Sequence, residues 1–168
     1  MRYLLITCIL AGVLVAKEFY TLKEVTIEKD RIVDAATKKP INALLKSFYK
    51  SGELFSTVPV VNGRENGMEK IYYRSGELMF ETPYREGKAD GIKKGYYRSG
   101  KLKSLSVYKN GVENGIRKIF YENGNLLSEV PVVHGKKNGI AKIYLEDGTL
   151  RATRLFKDDK PMPENHGK

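Results

Sequence analysis

Side chains that could carry out catalysis or hold a metal ion are sparse in this sequence of 168 residues. Its one cysteine, Cys8, excludes an internal disulfide framework and a cysteine-based zinc site. Two histidines, His134 and His166, are too few for a metal cluster or for a catalytic set with serine and aspartate. His134 also occupies a turn position that asparagine or glutamate fills elsewhere. We therefore expect no cofactor, no metal site and no enzymatic activity.

One catalytic arrangement stays open, a pair of carboxylates of the kind that hydrolyses glycosidic bonds. The candidates are Glu53, Glu77, Glu81 and Glu129, which could approach one another across neighbouring strands. All four lie at strand or turn-proximal positions of a repeated pattern. We therefore interpret them as part of a scaffold.

A row of lysines is the pattern that most suggests binding. Lysine recurs every 24 residues, and an aromatic ring recurs two residues later. The lysines are Lys46, Lys70, Lys94, Lys118 and Lys142, and the rings are Phe48, Tyr72, Tyr96, Phe120 and Tyr144. Residues i and i+2 of a strand share a face, so the pattern predicts one basic face lined by rings. The same row could instead be the solvated face of a sheet that is buried on its other side.

Two further motifs repeat with the same period of 24 residues. Tyr-x-x-Gly-x-Leu begins at Tyr49 and recurs at Tyr73, Tyr97 and Tyr121, with Leu145 replacing the tyrosine in a fifth copy. A pair of turn glycines follows in each unit. The repeated glycines are Gly52, Gly63, Gly67, Gly76, Gly87, Gly91, Gly100, Gly111, Gly115, Gly124, Gly135, Gly139 and Gly148. Such self-similarity is the signature of a repeat architecture.

Each unit holds two apolar-rich runs separated by turn residues, which predicts a β-hairpin. In one unit, residues 68–73 form a strand, residues 74–77 a turn, and residues 78–85 the returning strand. We therefore predict an all-β fold, an elongated antiparallel meander of about five hairpins. Pro59, Pro83 and Pro131 share one repeat position, which predicts a bulge or an unpaired stretch there because proline donates no hydrogen bond.

The chain divides into four segments. Residues 1–16 read as a signal peptide cleaved after Ala16, because their apolar run is too short to span a membrane. Residues 17–32 are predicted as a lead-in strand, residues 33–160 as the repeat array, and residues 161–168 as a polar tail. We expect export to the periplasm or outside the cell, with an uncleaved N-terminal membrane anchor as the alternative.

These units resemble the MORN-repeat variant of bacterial proteins and, within it, the YwqK-like antitoxins of toxin–antitoxin systems. The resemblance rests on the aromatic pair, the x-x-Gly-x-Leu motif and the Asn-Gly-x-x-Asn-Gly turn. It implies a ribbon of hairpins, no catalysis and an interaction role, with a protein partner such as a cognate toxin.

The formal charge of +10 favours acidic partners in general. The alternative to a protein partner is an envelope scaffold that binds anionic lipid or cell-wall polymer through the lysines. Stacking of single-stranded nucleic acid on the tyrosines is disfavoured, because an exported protein would rarely meet that ligand.

Overall fold

The computed structural model describes residues 17–163, which form a long single-layered β-sheet and a separate two-stranded sheet. The predicted signal peptide and the last five residues of the polar tail lie outside the described residues. The strands are β1 (Phe19–Thr21), β2 (Val25–Glu28), β3 (Arg31–Asp34), β4 (Ala43–Phe48), β5 (Leu54–Val61), β6 (Arg64–Glu65), β7 (Gly67–Tyr72), β8 (Leu78–Arg85), β9 (Lys88–Ala89), β10 (Gly91–Tyr96), β11 (Leu102–Lys109), β12 (Val112–Glu113), β13 (Gly115–Phe120), β14 (Leu126–Val133), β15 (Lys136–Lys137), β16 (Gly139–Tyr144), β17 (Leu150–Lys157) and β18 (Lys160–Pro161). No helix among the described residues is long and apolar enough to cross a membrane.

The prediction of an all-β meander is confirmed. The long sheet follows the order β1-β4-β5-β7-β8-β10-β11-β13-β14-β16-β17-β18, and its five main hairpins each join a six-residue strand to an eight-residue strand. Neighbouring strands are antiparallel, except that β1 runs parallel to β4. Each hairpin has a register shift near its turn, for example between Ile71 and Tyr72. Such a bulge increases the local twist of the ribbon.

The repeated turns need backbone conformations that glycine adopts at little cost. All thirteen repeated glycines have φ between 76° and 135°. His134 has φ of 51° and precedes Gly135 in a two-residue hairpin turn, so its predicted role as a turn residue is confirmed. At the C-terminal end of the array, Asp158 and Asp159 adopt φ of 49° and 68°, which keeps the same turn without glycine.

The shared proline position is paired within its own hairpin but lies where pairing with the following strands is interrupted, as the sequence predicts. The backbone carbonyl of Pro83 accepts a hydrogen bond of 2.9 Å from the N–H of Asp90, which lies between β9 and β10. The missing proline N–H therefore removes no ladder bond. Gly91 follows at φ of 130°, and a Cβ there would lie 2.7 Å from Cγ of Pro83. Both its backbone conformation and this close contact require glycine.

Tyrosine hydroxyls tie each hairpin to the next one. Each hydroxyl donates to a backbone carbonyl 23 residues ahead, and the four bonds are Tyr49 to Tyr72 (2.8 Å), Tyr73 to Tyr96 (2.8 Å), Tyr97 to Phe120 (2.6 Å) and Tyr121 to Tyr144 (2.9 Å). Contacts between nearest neighbours are what stabilise repeat arrays. These tyrosines are therefore part of the scaffold rather than an exposed stacking platform.

Residues 17–32 form several short elements where the sequence predicts a single lead-in strand. After β1, the Glu24 carboxylate accepts hydrogen bonds of 2.8 Å from both the N–H and the hydroxyl of Thr21, which stabilises a 3-10 turn at Leu22–Glu24. Lys29 and Asp30 then adopt positive φ and reverse the chain between β2 and β3. These local turns interrupt the strand.

The N-terminal elements cover one side of the first main hairpin. Tyr20, Val25 and Ile32 pack against the buried core of Ile41, Leu45, Val58 and Val60. These elements therefore cap the array at its N-terminal end by covering the apolar core of the first hairpin.

Candidate functional site

Strand register divides the side chains of the sheet between two faces. We call the side of Lys70, which pairs with Thr57 and Glu81, the lysine face. We call the opposite side, which carries Val58, Thr82, Lys93, Val132 and Ala141, the groove face. Four of these five residues, all except Lys93, are buried, so the groove face is the more buried side of the sheet.

The sheet brings the five predicted lysines into one row on the lysine face, which we call the lysine row. They pair in register as Lys46 with Thr57, Lys70 with Glu81, Lys94 with Leu105, Lys118 with Glu129, and Lys142 with Thr153. Successive lysines are two strand spacings apart, or about 9–10 Å.

Two carboxylates interrupt the row, which the sequence predicts as a continuous basic stripe. Lys94 Nζ lies 3.4 Å from Glu81 Oε1, and Lys118 Nζ lies 3.3 Å from Glu129 Oε1. Lys70 and Lys142 have no ion pair among residues 17–163. The glutamates come from the returning strands, where this position varies between repeats, so the lysine period alone does not reveal them.

Two of the predicted rings contact these carboxylates, Tyr96 together with its own lysine, Lys94, and Tyr144 together with Lys118 of the preceding repeat. The Tyr96 hydroxyl donates to Glu81, and the Tyr144 hydroxyl donates to Glu129 at 3.4 Å. Burial and the hydrogen bond to Glu81 raise the pKa of Tyr96 to about 12. The same hydrogen bond, assisted by Lys94, lowers the pKa of Glu81. Both glutamates therefore hold a ring and a lysine together.

The other predicted rings do not form one set. Lys46 Nζ lies 4.1 Å from the ring centroid of Phe19, and Phe48 is 47% exposed. Tyr72 and Phe120 are half-buried. The predicted aromatic lining is therefore discontinuous along the sheet.

A second row on the lysine face, which we call the apolar row, was missed in the sequence interpretation. It lies two residues before the lysines and holds Met68 (40% exposed), Ile92 (49%), Ile116 (50%) and Ile140 (54%), with Val107 (40%) and Leu155 (48%) from the returning strands. Large apolar side chains exposed in a contiguous row are typical of a binding surface. The recurring Met/Ile-x-Lys spacing could have revealed it.

The four candidate glutamates do not form a hydrolytic pair. Glu81 and Glu129 lie four strand spacings apart, about 19 Å, whereas glycosidase carboxylates lie within about 10 Å of each other. Glu53 and Glu77 lie in hairpin turns, where the hydroxyls of Ser51 and Ser75 lower their pKa values. A general acid needs a raised pKa.

Charged and polar side chains also occupy the middle of the groove face. Arg117 donates to Glu113 from Nε at 2.8 Å and from Nη2 at 2.5 Å, and Glu113 is only 8% exposed. The guanidinium lowers the pKa of Glu113, whereas burial raises the pKa of Glu69. Lys93 Nζ lies 4.9 Å from the ring centroid of Phe80. No group of three His, Cys, Asp or Glu side chains in the described part of the chain could hold a metal ion.

Comparison with known proteins identifies the repeat. The family described as MORN repeat variant matches residues 65–86, 89–110, 113–134 and 137–158, which together make up just over half of the chain. The chain belongs to the MORN repeat variant family. Each matched MORN segment starts in or beside one of the short strands β6, β9, β12 and β15 and contains one complete hairpin.

Comparisons with whole proteins add no function. No curated protein matches the chain. One similar solved structure is described as a GtfA/B complex bound to UDP and GlcNAc, with 14% sequence identity and a TM-score of 0.28. The match covers 81% of this chain and 24% of that one, so the chain corresponds to about a quarter of that protein.

The MORN repeats account for the periodicity of the lysine face. Each of the four matched repeats supplies one lysine and one exposed apolar residue two positions before it. Lys46 belongs to hairpin β4–β5, which precedes the first matched repeat. The lysine row therefore extends one hairpin beyond the matched MORN segments.

Proposed function

We propose that this MORN repeat protein is a non-enzymatic scaffold that binds a protein partner on its lysine face. The apolar row beside the lysine row carries the proposal. Exposed apolar side chains bordered by charged ones are typical of protein interfaces, which have an apolar centre and a polar rim. Membership in a repeat family supports the same general role.

The shape and charge of this face suggest the chemistry of the partner. Taken together, the lysine row and the apolar row extend from β4 to β17, which is nine strand spacings or about 43 Å along the sheet. The lysine row contains five lysines and two glutamates, so it keeps a positive excess. The complementary partner has an elongated apolar surface with an acidic border.

The resemblance to the YwqK-like antitoxins supports a toxin as that partner. The signal peptide predicted for residues 1–16 supports export of the scaffold. Together these two features favour an exported toxin, which the scaffold would neutralise by occlusion. The absence of catalysis belongs to this proposal and is supported by the separation of the candidate glutamates.

A second candidate function is attachment to anionic lipid or cell-wall polymer, which the lysine row favours. Attachment through surface charges weakens steeply with salt, because charges more than about 8 Å apart are screened at physiological ionic strength. A protein complex with a buried apolar centre should survive moderate salt.

The test is a triple charge reversal, Lys70→Glu, Lys94→Glu and Lys118→Glu, with Lys39→Glu, Lys50→Glu and Lys101→Glu, at exposed loop and turn positions, as the charge-matched control. A second variant, Ile92→Asn with Ile116→Asn, alters the apolar row without changing charge. We expect the unaltered chain to retain a stoichiometric partner from the producing cells at moderate salt. Both lysine-face variants should lose that partner, and the control should keep it. Circular dichroism checks that every variant folds.

Retention of the partner by both lysine-face variants would contradict the proposal. Binding to vesicles of anionic lipid that fades with salt and depends on the lysines, without a protein partner, would favour the second candidate function.

A further inference from the structure

The groove face departs from its own repeat pattern in the middle of the array. In the first hairpin its three central positions carry Leu45, Val58 and Val60, and in the fourth they carry Arg117, Val130 and Val132. The matching positions of the second and third hairpins carry Glu69, Thr82 and Tyr84, and Lys93, Ser106 and Tyr108. The second and third hairpins are polar at all three positions, whereas the first hairpin has no polar residue there and the fourth and fifth have one each, Arg117 and Arg154. Polar residues on the more buried face are costly unless they have partners, so this concentration in two hairpins suggests a specific role.

All of the residues named for the second and third hairpins except Glu69 line two adjoining cavities of about 350 and 310 Å³, which we call the central cleft. Lys93 and Tyr108 line both cavities. Thr82 and Tyr84 contribute to one cavity, and Ser106 contributes to the other. Each cavity is within the size range of ligand sites, and its mixture of rings, hydroxyls and charges is typical of them.

The central cleft has an excess of positive charge. Lys88, Lys93, Lys103 and Arg117 line it, against the single carboxylate of Glu113. Arg117 is engaged by that carboxylate. Lys93 is half-buried, lines both cavities and forms no ion pair among residues 17–163. Its ammonium group lies 4.9 Å from the ring centroid of Phe80 and interacts at longer range with the carboxylates of Glu69 and Glu113. Its ammonium group is therefore the one best placed to meet an anionic group from outside.

The two ends of the groove face differ, and this difference sets the direction in which a ligand could extend from the central cleft. At its N-terminal end Val25 and Ile32 cover the face. Toward its C-terminal end a cavity of about 640 Å³ is lined mainly by apolar residues, including Val130, Ala141 and Phe156. Lys93 on β10 and Ala141 on β16 are four strand spacings apart, or about 19 Å. An extended polypeptide covers that distance in about six residues.

We propose that the central cleft and the adjacent apolar cavity bind an extended peptide segment in which a carboxylate side chain meets Lys93 and an apolar side chain, about six residues away, enters the cavity beside Ala141. This site lies on the face opposite the lysine row. It therefore stands apart from the partner surface proposed above.

The probe is a fluorescein-labelled peptide with two glutamates separated by six residues from a Leu-Phe pair, made in both chain directions. Binding to the full chain is followed by fluorescence anisotropy. In at least one chain direction, the peptide should bind about tenfold more tightly than a control peptide in which glutamine replaces both glutamates. It should also bind more tightly than a control peptide in which serine replaces both Leu and Phe. Backbone amide shifts should concentrate at Lys93, Ser106 and Ala141.

Protein variants test Lys93 directly. Lys93→Met keeps the apolar stem but removes the charge, so it should lose about tenfold in affinity for the acidic peptide. Lys93→Arg should keep the affinity, and Lys101→Met, which removes an exposed turn lysine, serves as the control.

Three results would overturn the proposal. One is equal binding of the glutamate and glutamine peptides, and another is an equal loss in Lys93→Met and Lys101→Met. The third is binding of polygalacturonate without binding of either peptide, which would indicate that the cleft binds an acidic saccharide. Loss of the lysine-face partner would leave these results unchanged.

Discussion

Replacing Gly95 with isoleucine should destabilise the protein by about 1–3 kcal/mol, the usual cost of overpacking. Isoleucine occupies the matching position of three other hairpins, as Ile71, Ile119 and Ile143, so repeat consensus alone predicts the opposite. Gly95 is buried, and a Cβ there would collide with Ser104 Oγ and lie 2.9 Å from Cε1 of Phe80. Urea denaturation followed by circular dichroism measures the change.

The effect arises because the large residue of this cross-strand pair is Phe80, on the partner strand, rather than residue 95. Each of the other three isoleucines pairs across the hairpin boundary with a serine, namely Ser56 with Ile71, Ser104 with Ile119, and Ser128 with Ile143. In the remaining pair Phe80 faces Gly95, so the large residue is on the other strand. The double variant Phe80→Ser with Gly95→Ile restores the common pair.

The double variant therefore serves as the control. We expect it to be more stable than Gly95→Ile alone, with a coupling of about 1 kcal/mol or more between the two sites. If the single variant is as stable as the unaltered chain, or the two changes are additive, the packing account is wrong.

Replacing Arg117 with alanine should cost about 2–3 kcal/mol at neutral pH, because it leaves the buried Glu113 carboxylate without its main partner. This expected cost is at or below the lower limit of the cost of breaking a fully buried ion pair, because the Arg117 side chain is 33% exposed. Thermal and urea unfolding at neutral pH measure the change.

The effect should depend on pH in a defined direction. Arg117 lowers the pKa of Glu113 in the folded chain. The pair therefore contributes its full stability above the ordinary glutamate pKa, and loses it as pH falls through the lowered pKa. The stability difference between the unaltered chain and Arg117→Ala should shrink in acid.

The preceding repeat provides a matched control for this prediction. It carries Ala89 and Lys93 where the third matched repeat carries Glu113 and Arg117. Glu113→Ala with Arg117→Lys reproduces that combination and should unfold within about 1 kcal/mol of the unaltered chain, because no buried carboxylate is left unpaired. A double variant as unstable as Arg117→Ala would contradict the ion-pair explanation.

The hairpin architecture could be predicted from the sequence because its turns have strong local requirements. Gly76 adopts a positive φ that other residues rarely tolerate, and Pro83 lacks a backbone donor, so each residue type marks a particular place in the hairpin and the period places every strand. The N-terminal segment has no such period. Its shape depends on the Thr21 and Glu24 contacts and on packing against the first hairpin, so a single strand was predicted in error.

The binding surfaces could be predicted only in part. The 24-residue period of the lysines predicts the lysine row, because side chains alternate between the two faces along a strand. The positions of Glu81 and Glu129 depend on cross-strand register, which a period does not contain. The central cleft was not predicted because its key residues, such as Lys93 and Arg117, occupy positions where the residue type varies from one repeat to the next.

The most direct test of the lysine face as the partner surface is site-specific photo-crosslinking in the producing cells. A photo-reactive amino acid replaces Ile92 in the apolar row, and a control chain carries it at Glu77, an exposed turn position away from that row. We expect one protein to crosslink strongly at position 92 and weakly at 77. Equal crosslinking at both positions, or a partner crosslinked only at 77, would contradict the assignment of the lysine face as the partner surface.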